Sequence, residues 1–244
     1  MPRATRKRRI QPLVAWHATK ELIRDPERTD LVFTIIRALS GDAFEKLFQR
    51  VAADPVGRAT LDEGRSLLAT LSDLPSLRVL PEGTLGRCYA RFMDEENLSA
   101  DGLVAASEQD EQDDAQVIDP RARRFGERLR DMHDLWHVSA GYGRDLLGED
   151  ALLAFSYAQT RNRGIAFIVL MASIELWRAG QKDALRTVWH GYRRGRRAQS
   201  LAAADWEGLL DRPLSEVRQH LGLGEPPSYQ PMFKDPPLPL TATG

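Results

Sequence analysis

The stretch "MHDLWHVSAGYGRDLLGEDALLAF", residues 132–155, decides how this chain is read. Its first part completes an apolar series, Phe125, Leu129, Met132, Trp136 and Ala140, spaced by three or four residues. That period belongs to a helix with one buried face. Gly-Tyr-Gly at 141–143 ends the helix and lets the chain turn back, and residues 144–160 read as a second helix whose start Gly148 leaves open by a turn.

His133 and His137 stand four apart beside the apolar stripe, so both imidazoles are expected to face the interior or a cavity. Residues at that spacing lie one above the other, with Cβ atoms about 6 Å apart, close enough for two rings to reach one ion. Asp134 sits about 100° further round, as a third ligand or as a group that orients an imidazole. Glu149, twelve residues after His137, falls with Leu146, Leu152, Leu153 and Ser156 on the apolar side of the second helix. A carboxylate on a buried stripe needs a partner. A lone histidine on an apolar face is ordinarily a satisfied core residue. Two at this spacing, facing an inward carboxylate, favour a metal instead. Nitrogen and oxygen donors without sulfur leave zinc, iron, manganese or cobalt as candidates, among which ligand type alone does not choose; zinc is the expected ion. His17, His190 and His220 have no such company.

Outward from this stretch nearly every segment is helical. "LVAWHATKELIRD", "DLVFTIIRALSG" with Asp30 as its N-cap, "DAFEKLFQRVAA" from Asp42, "DEGRSLLATLSDL" and the helix through Leu85, Tyr89 and Phe92 all repeat the three-four spacing. Strand-like alternation is absent. The expected fold is all-α, a single multi-helix domain with its metal site between two adjacent helices. Residues 11–225 form that domain, interrupted by an acidic loop at 107–119; a basic tail occupies 1–10 and a proline-rich tail 226–244.

Composition narrows the class. Hydrophobic residues make up 42% and charged residues 28% of 244, a globular balance. Cys88 stands alone, which excludes an internal disulfide or a thiolate cluster. Nothing approaches the roughly 18 apolar residues of a membrane span. The start, "MPRATRKRRIQP", lacks the apolar core of a secretory signal; it is arginine-rich and acid-free as transit peptides are, but short and serine-poor. Arginine outnumbers lysine 29 to 5, which points to a GC-rich bacterial genome. On that basis the expected location is the bacterial cytoplasm, peripheral on the inner membrane, with Arg3, Arg6, Lys7, Arg8 and Arg9 meeting an anionic membrane surface.

Two familiar motifs fit poorly. The H-E-x-x-H of zinc proteases has glutamate where Asp134 stands, and HD-type phosphohydrolases need a further upstream histidine, for which His17 is distant. The pattern His133, Asp134, His137 and, after eleven residues, Glu149 instead resembles the signature of the ubiquinone biosynthesis protein Coq4 family. The likeness extends over roughly residues 11 to 225, through "RALSG", "LPEGTLGRCYARFM", "LAFSYAQTRNRGIAFIVLM" and "DWEGLLDRPLSEVRQHLG". The resemblance implies an all-helical fold and a divalent metal held by His133, Asp134, His137 and Glu149. It also implies oxidative decarboxylation at C1 of a polyprenylated hydroxybenzoate (a 4-hydroxy-3-methoxy-5-polyprenylbenzoate-type substrate). Expected partners are that lipid, other ubiquinone-synthesis enzymes and a second copy of the chain, and no nucleic acid. A lipid-binding scaffold with a structural metal is the alternative, and an HD-type phosphohydrolase the third.

A lipid tail needs an apolar channel. Residues 164–177 are apolar on nearly all faces of their first half, which ordinarily marks a core helix. Ile168 is its candidate contact with a prenyl tail, while Arg161, Asn162 and Arg163 just before it could meet an anionic head group. Arg193 and Arg194, with Arg196 and Arg197, form a basic patch suited to lipid phosphates or to solvent.

Overall fold

A computed structural model describes residues 10–24, 28–98 and 119–233. The basic segment 1–9, nearly all of the acidic loop and the end of the proline-rich tail therefore lie outside the described residues. Those described form thirteen α-helices and two short 3-10 turns, with no strand among them.

The N-terminal pair, α1 (Pro12–Arg24) and α2 (Thr29–Ser40), meets through Ala15, Ala18, Leu31, Ile35 and Ala38. Next, α3 (Ala43–Ala53) and α4 (Pro55–Glu63) enclose Leu47, Val51 and Leu61, and Phe125 joins them from α8 (Pro120–Asp131). The short α5 (Leu67–Ser72) and α6 (Leu74–Arg78) lead to α7 (Leu85–Glu95). With α9 (His133–Ala140), α10 (Leu146–Thr160) and α13 (Leu214–His220), these build the main core around Tyr89, Met93, Leu135, Phe155 and Trp206. The remaining helices, α11 (Arg163–Arg178) and α12 (Lys182–Arg197), pack along α10.

Sequence chemistry sets the boundaries. Asp54 accepts hydrogen bonds from the Val56 and Gly57 amides ahead of Pro55, Asn162 accepts one from Gly164, and Asp145 accepts from Leu147 and Gly148. Each fills orphan amides at a helix start. Gly191 and Gly195 place a smooth ridge of α12 against α10: a Cβ on either would strike the Ala151 or Phe155 carbonyl. Two helices can approach this closely only where small residues meet, and the pair anchors the helix that carries Glu149.

Several boundaries and faces differ from the sequence expectation. Asp30 is not a cap; α2 starts one residue earlier, and the Asp30 carboxylate pairs with the Arg28 guanidinium at 2.7 Å. The pattern from Asp62 breaks at Gly64, which takes a left-handed φ of 67° between α4 and α5. The single helix expected from Ala122 to Ala140 is interrupted at Met132, whose ψ of −3° separates α8 from α9. Apolar spacing is blind to such a break, because Met132 stays buried on both sides of it.

Most consequential is α11. Despite its apolar sequence only Gly164 is fully buried, and Leu170 and Trp177 are exposed. One side, with Phe167 and Ile168, packs on the α1–α2 pair, and Val169 packs toward α12. The helix covers the core from outside instead of forming its centre.

Candidate metal centre

Two helices bring the donors together. His133 and His137 share one face of α9, and Glu149 projects from the first turn of α10. Among the described residues, these three form a group whose donor atoms all lie within 4.8 Å of one another. The imidazoles meet edge to face, ring centres 4.9 Å apart, and His137 Nε2 stands 3.4 Å from Glu149 Oε1.

The second nitrogen of His137 settles what the first can do. Its Nδ1 lies 2.9 Å from the carbonyl oxygen of Tyr142, an acceptor only, so Nδ1 carries a proton and donates it. In the neutral ring Nε2 is then a bare lone pair, completely buried and without a hydrogen-bond partner, aimed at a carboxylate. Two acceptors face each other, and a cation between them resolves the conflict. This donor set fits a divalent ion.

Asp134 takes a different place. Its Oδ1 lies 3.3 Å from His133 Nδ1, outside the three-residue donor group, in the position of an orienting partner. Burial pushes the Asp134 carboxyl up, but its hydrogen bond with His133 and the charges of both histidines hold it below the usual range. The same balance acts on Glu149, where burial is outweighed by His137, His133 and Arg144. Desolvation pulls His133 down, yet Asp134 and Glu149 raise it above its ordinary value. Arg144 Nε, 3.8 Å from Glu149, adds a cation at the edge.

The cluster is enclosed on one side and open on the other. His137 is fully covered, with the Phe92 ring stacked on it at 5.7 Å, whereas 46% of the His133 side chain and 33% of Glu149 remain accessible. Of the two imidazoles expected to face the interior or a cavity, His137 faces the interior and His133 the open side of the cluster. His133 sits at the mouth.

The other candidates lie elsewhere. Ile168 packs into the α1–α2 seam. Arg161 and Arg163 are exposed at the junction of α10 and α11, as is Arg193 on α12. Arg194 is already committed: it donates to the carbonyls of Ala140, Leu223 and Glu225 and lies 5.2 Å over the Tyr142 ring. Sequence reasoning missed Phe92, the Tyr142 carbonyl and Asp150, whose carboxyl is pushed up to about 7 by burial and by the charges of Glu149 and Asp145. Asp145, directly before an apolar run, had a readable cap signal.

A family model described as "Coenzyme Q (ubiquinone) biosynthesis protein Coq4" matches residues 7–227. The chain belongs to the Coq4 family. That family takes part in ubiquinone biosynthesis. Among Coq4 relatives, the mitochondrial ubiquinone biosynthesis protein of Pyrenophora tritici-repentis is 30% identical over 216 residues, covering 86% of this chain and 70% of the relative. The Aspergillus niger protein of the same name is 30% identical, covering 84% and 69%. A crystal structure of a Nostoc punctiforme protein assigned to ubiquinone biosynthesis superposes with a TM-score of 0.66 over 89% of this chain and all of its own. At 24% identity it supports the Coq4 fold.

These relatives correct one expectation. The two fungal proteins are named mitochondrial, which overturns the bacterial cytoplasm and the peripheral inner-membrane site inferred from arginine usage. Arginine preference reflects codon composition and carries no physical information about compartment. Among the described residues no helix is long and apolar enough to cross a membrane.

Proposed function

We propose that this Coq4 chain is the enzyme that replaces the ring carboxyl at C1 of a polyprenylated hydroxybenzoate with oxygen, using a divalent metal held by His133, His137 and Glu149. The observation that carries the reading is the buried, unpartnered Nε2 of His137 facing Glu149 at 3.4 Å. When bound, the ion supplies positive charge for the substrate's carboxylate or a neighbouring ring oxygen. Zinc, iron, manganese and cobalt all accept these donors, and donor type alone does not choose among them.

The chain's own residues divide the remaining work. Tyr142 fixes the His137 tautomer through its carbonyl, and Asp134 holds His133 at the open side, where substrate enters. Phe92 and the covered side of His137 exclude water from the back of the site. Dioxygen is the oxidant class: the C1–carboxyl bond breaks, a C1–oxygen bond forms, and one 4-hydroxybenzoate with one dioxygen gives a quinone, carbon dioxide and water.

The exposed apolar side chains Leu13, Trp16, Leu170, Trp177 and Trp189 favour a second reading, a scaffold that presents the prenyl lipid to other ubiquinone-synthesis proteins. Complementation of a strain unable to make ubiquinone separates the two. The enzyme reading expects rescue by the unaltered chain and none by Glu149→Ala at equal abundance. Full rescue by a metal-free Glu149→Ala chain leaves the scaffold standing.

A further inference from the structure

We infer that Tyr229, on the C-terminal segment beyond α13, is a positioning residue of the metal centre, through which the chain's end sets the geometry of His137 and Glu149. The inference deepens the metal-site reading above and rests on it.

Residues 222–233 run as a strap across the loop between α9 and α10. Arg194 holds the strap's beginning, donating to Leu223 and Glu225 while its other nitrogen donates to Ala140 at the end of α9. Pro226 then sits against Gly141, where an added Cβ would be 2.6 Å from the proline ring. Three residues later, the Tyr229 hydroxyl accepts the Gly143 amide at 2.8 Å and donates to Asp145 Oδ2 at 2.8 Å. The Met232 amide donates to Asp145 Oδ1 at 2.9 Å, and the Leu146 amide donates to the Met232 carbonyl at 2.8 Å.

This hydroxyl joins the anchors of two donors. Gly143 follows Tyr142, whose carbonyl fixes His137. Asp145 caps α10 through the Leu147 and Gly148 amides, and its backbone carbonyl receives the Glu149 amide at 2.9 Å. One side chain therefore braces the loop that orients an imidazole and the turn that presents a carboxylate. The seat is built for it: a Cβ on Gly148 would lie 2.5 Å from the Tyr229 hydroxyl oxygen. Burial, and then the Asp145 acceptor, raise the phenol above its ordinary range, so it keeps its donor proton.

The test titrates Co2+ into the full-length, metal-free protein and follows the visible absorption bands, which report affinity and coordination geometry. Tyr229→Phe removes the hydroxyl and keeps the ring that packs 6.1 Å from Tyr142. Asp145→Asn, which keeps one acceptor oxygen, is the second variant. Asp54→Ala, which removes the cap of the remote α4, is the control for lost stability. We expect Co2+ affinity about 10-fold weaker, with altered bands, in Tyr229→Phe and in the same direction in Asp145→Asn, and wild-type binding in Asp54→Ala. A merely structural strap would make the three variants alike. Wild-type affinity and spectrum in Tyr229→Phe overturn the inference while leaving the metal centre intact. Equal weakening in all three overturns it as well. Absence of Co2+ binding by the unaltered chain removes the metal reading and the inference with it.

Discussion

His137 donates its Nδ1 proton to the backbone carbonyl of Tyr142 at 2.9 Å, five residues further along the chain. Because that acceptor is a main-chain atom two residues past the end of the same helix, substitution of the Tyr142 side chain leaves it in place, and the imidazole is held with Nε2 toward Glu149. His137→Ala and Glu149→Ala are each expected to lose most bound metal while keeping the helical circular dichroism, since the helices that carry the donors pack through a buried apolar core. Metal per chain after purification without chelator is the measurement. Retention of a full equivalent in Glu149→Ala would count against the carboxylate as a ligand.

Asp134 should behave differently. Asparagine keeps the shape and a polar contact to His133 Nδ1 but removes the charge that holds the ring. Asp134→Asn is expected to weaken metal binding about 10- to 100-fold, less than loss of either histidine. Competition against a chelator of known affinity measures this, and a loss as complete as that of His137→Ala would make Asp134 a direct ligand.

The buried pair Arg128–Glu207 contributes to the pH dependence of stability. The guanidinium meets both carboxylate oxygens, at 2.6 and 2.8 Å, with both side chains only 7% exposed. Burial raises Glu207, but its hydrogen bonds and charge interaction with Arg128 outweigh that and leave its pKa below the ordinary 4.5. The folded value is depressed, so the stabilisation is fully present above 4.5 and is lost as pH falls through the lower folded value. Arg128→Ala strands a buried carboxylate and is expected to cost about 3–5 kcal/mol at neutral pH. Denaturant melts at pH 7 and pH 3 check it: the difference from the unaltered chain should shrink at pH 3, and a constant difference would contradict the assignment.

Gly195→Val tests the tight seam between α10 and α12. A side chain there meets the Phe155 carbonyl and the Ala158 methyl group, and overpacking of this kind costs about 1–3 kcal/mol. Thermal unfolding of the variant should occur several degrees lower. An unchanged melt would mean that the two helices separate freely.

Much of this was legible in the sequence because it depended on local periodicity. The all-helical fold, the ending at Gly141 and the convergence of His133, His137 and Glu149 follow from apolar spacing and from residues four apart. The break at Met132 was hidden, since a buried methionine satisfies the pattern on either side of it. The fate of α11 was hidden for another reason: an apolar helix reads as core whether it lies inside or caps the outside, and Leu170 and Trp177 show the latter. Arg194 looked like a lipid-binding charge, and its three carbonyl acceptors come from α9 and from a strap near the chain's end. Spacing carries no record of contacts that distant. The same holds for Tyr229 and Asp145, 84 positions apart.

Following the ring carboxyl itself decides whether decarboxylation occurs at this centre. The purified, metal-loaded chain is given a polyprenylated hydroxybenzoate labelled with carbon-13 at that carboxyl, under dioxygen, alongside Glu149→Ala. Decarboxylation at this centre gives labelled carbon dioxide and a C1-oxygenated ring from the unaltered chain, and neither from Glu149→Ala or from protein stripped by chelator. Labelled carbon dioxide released at the same rate by metal-free Glu149→Ala protein, or tight binding of the lipid by the metal-loaded chain with no carbon dioxide at all, would contradict it.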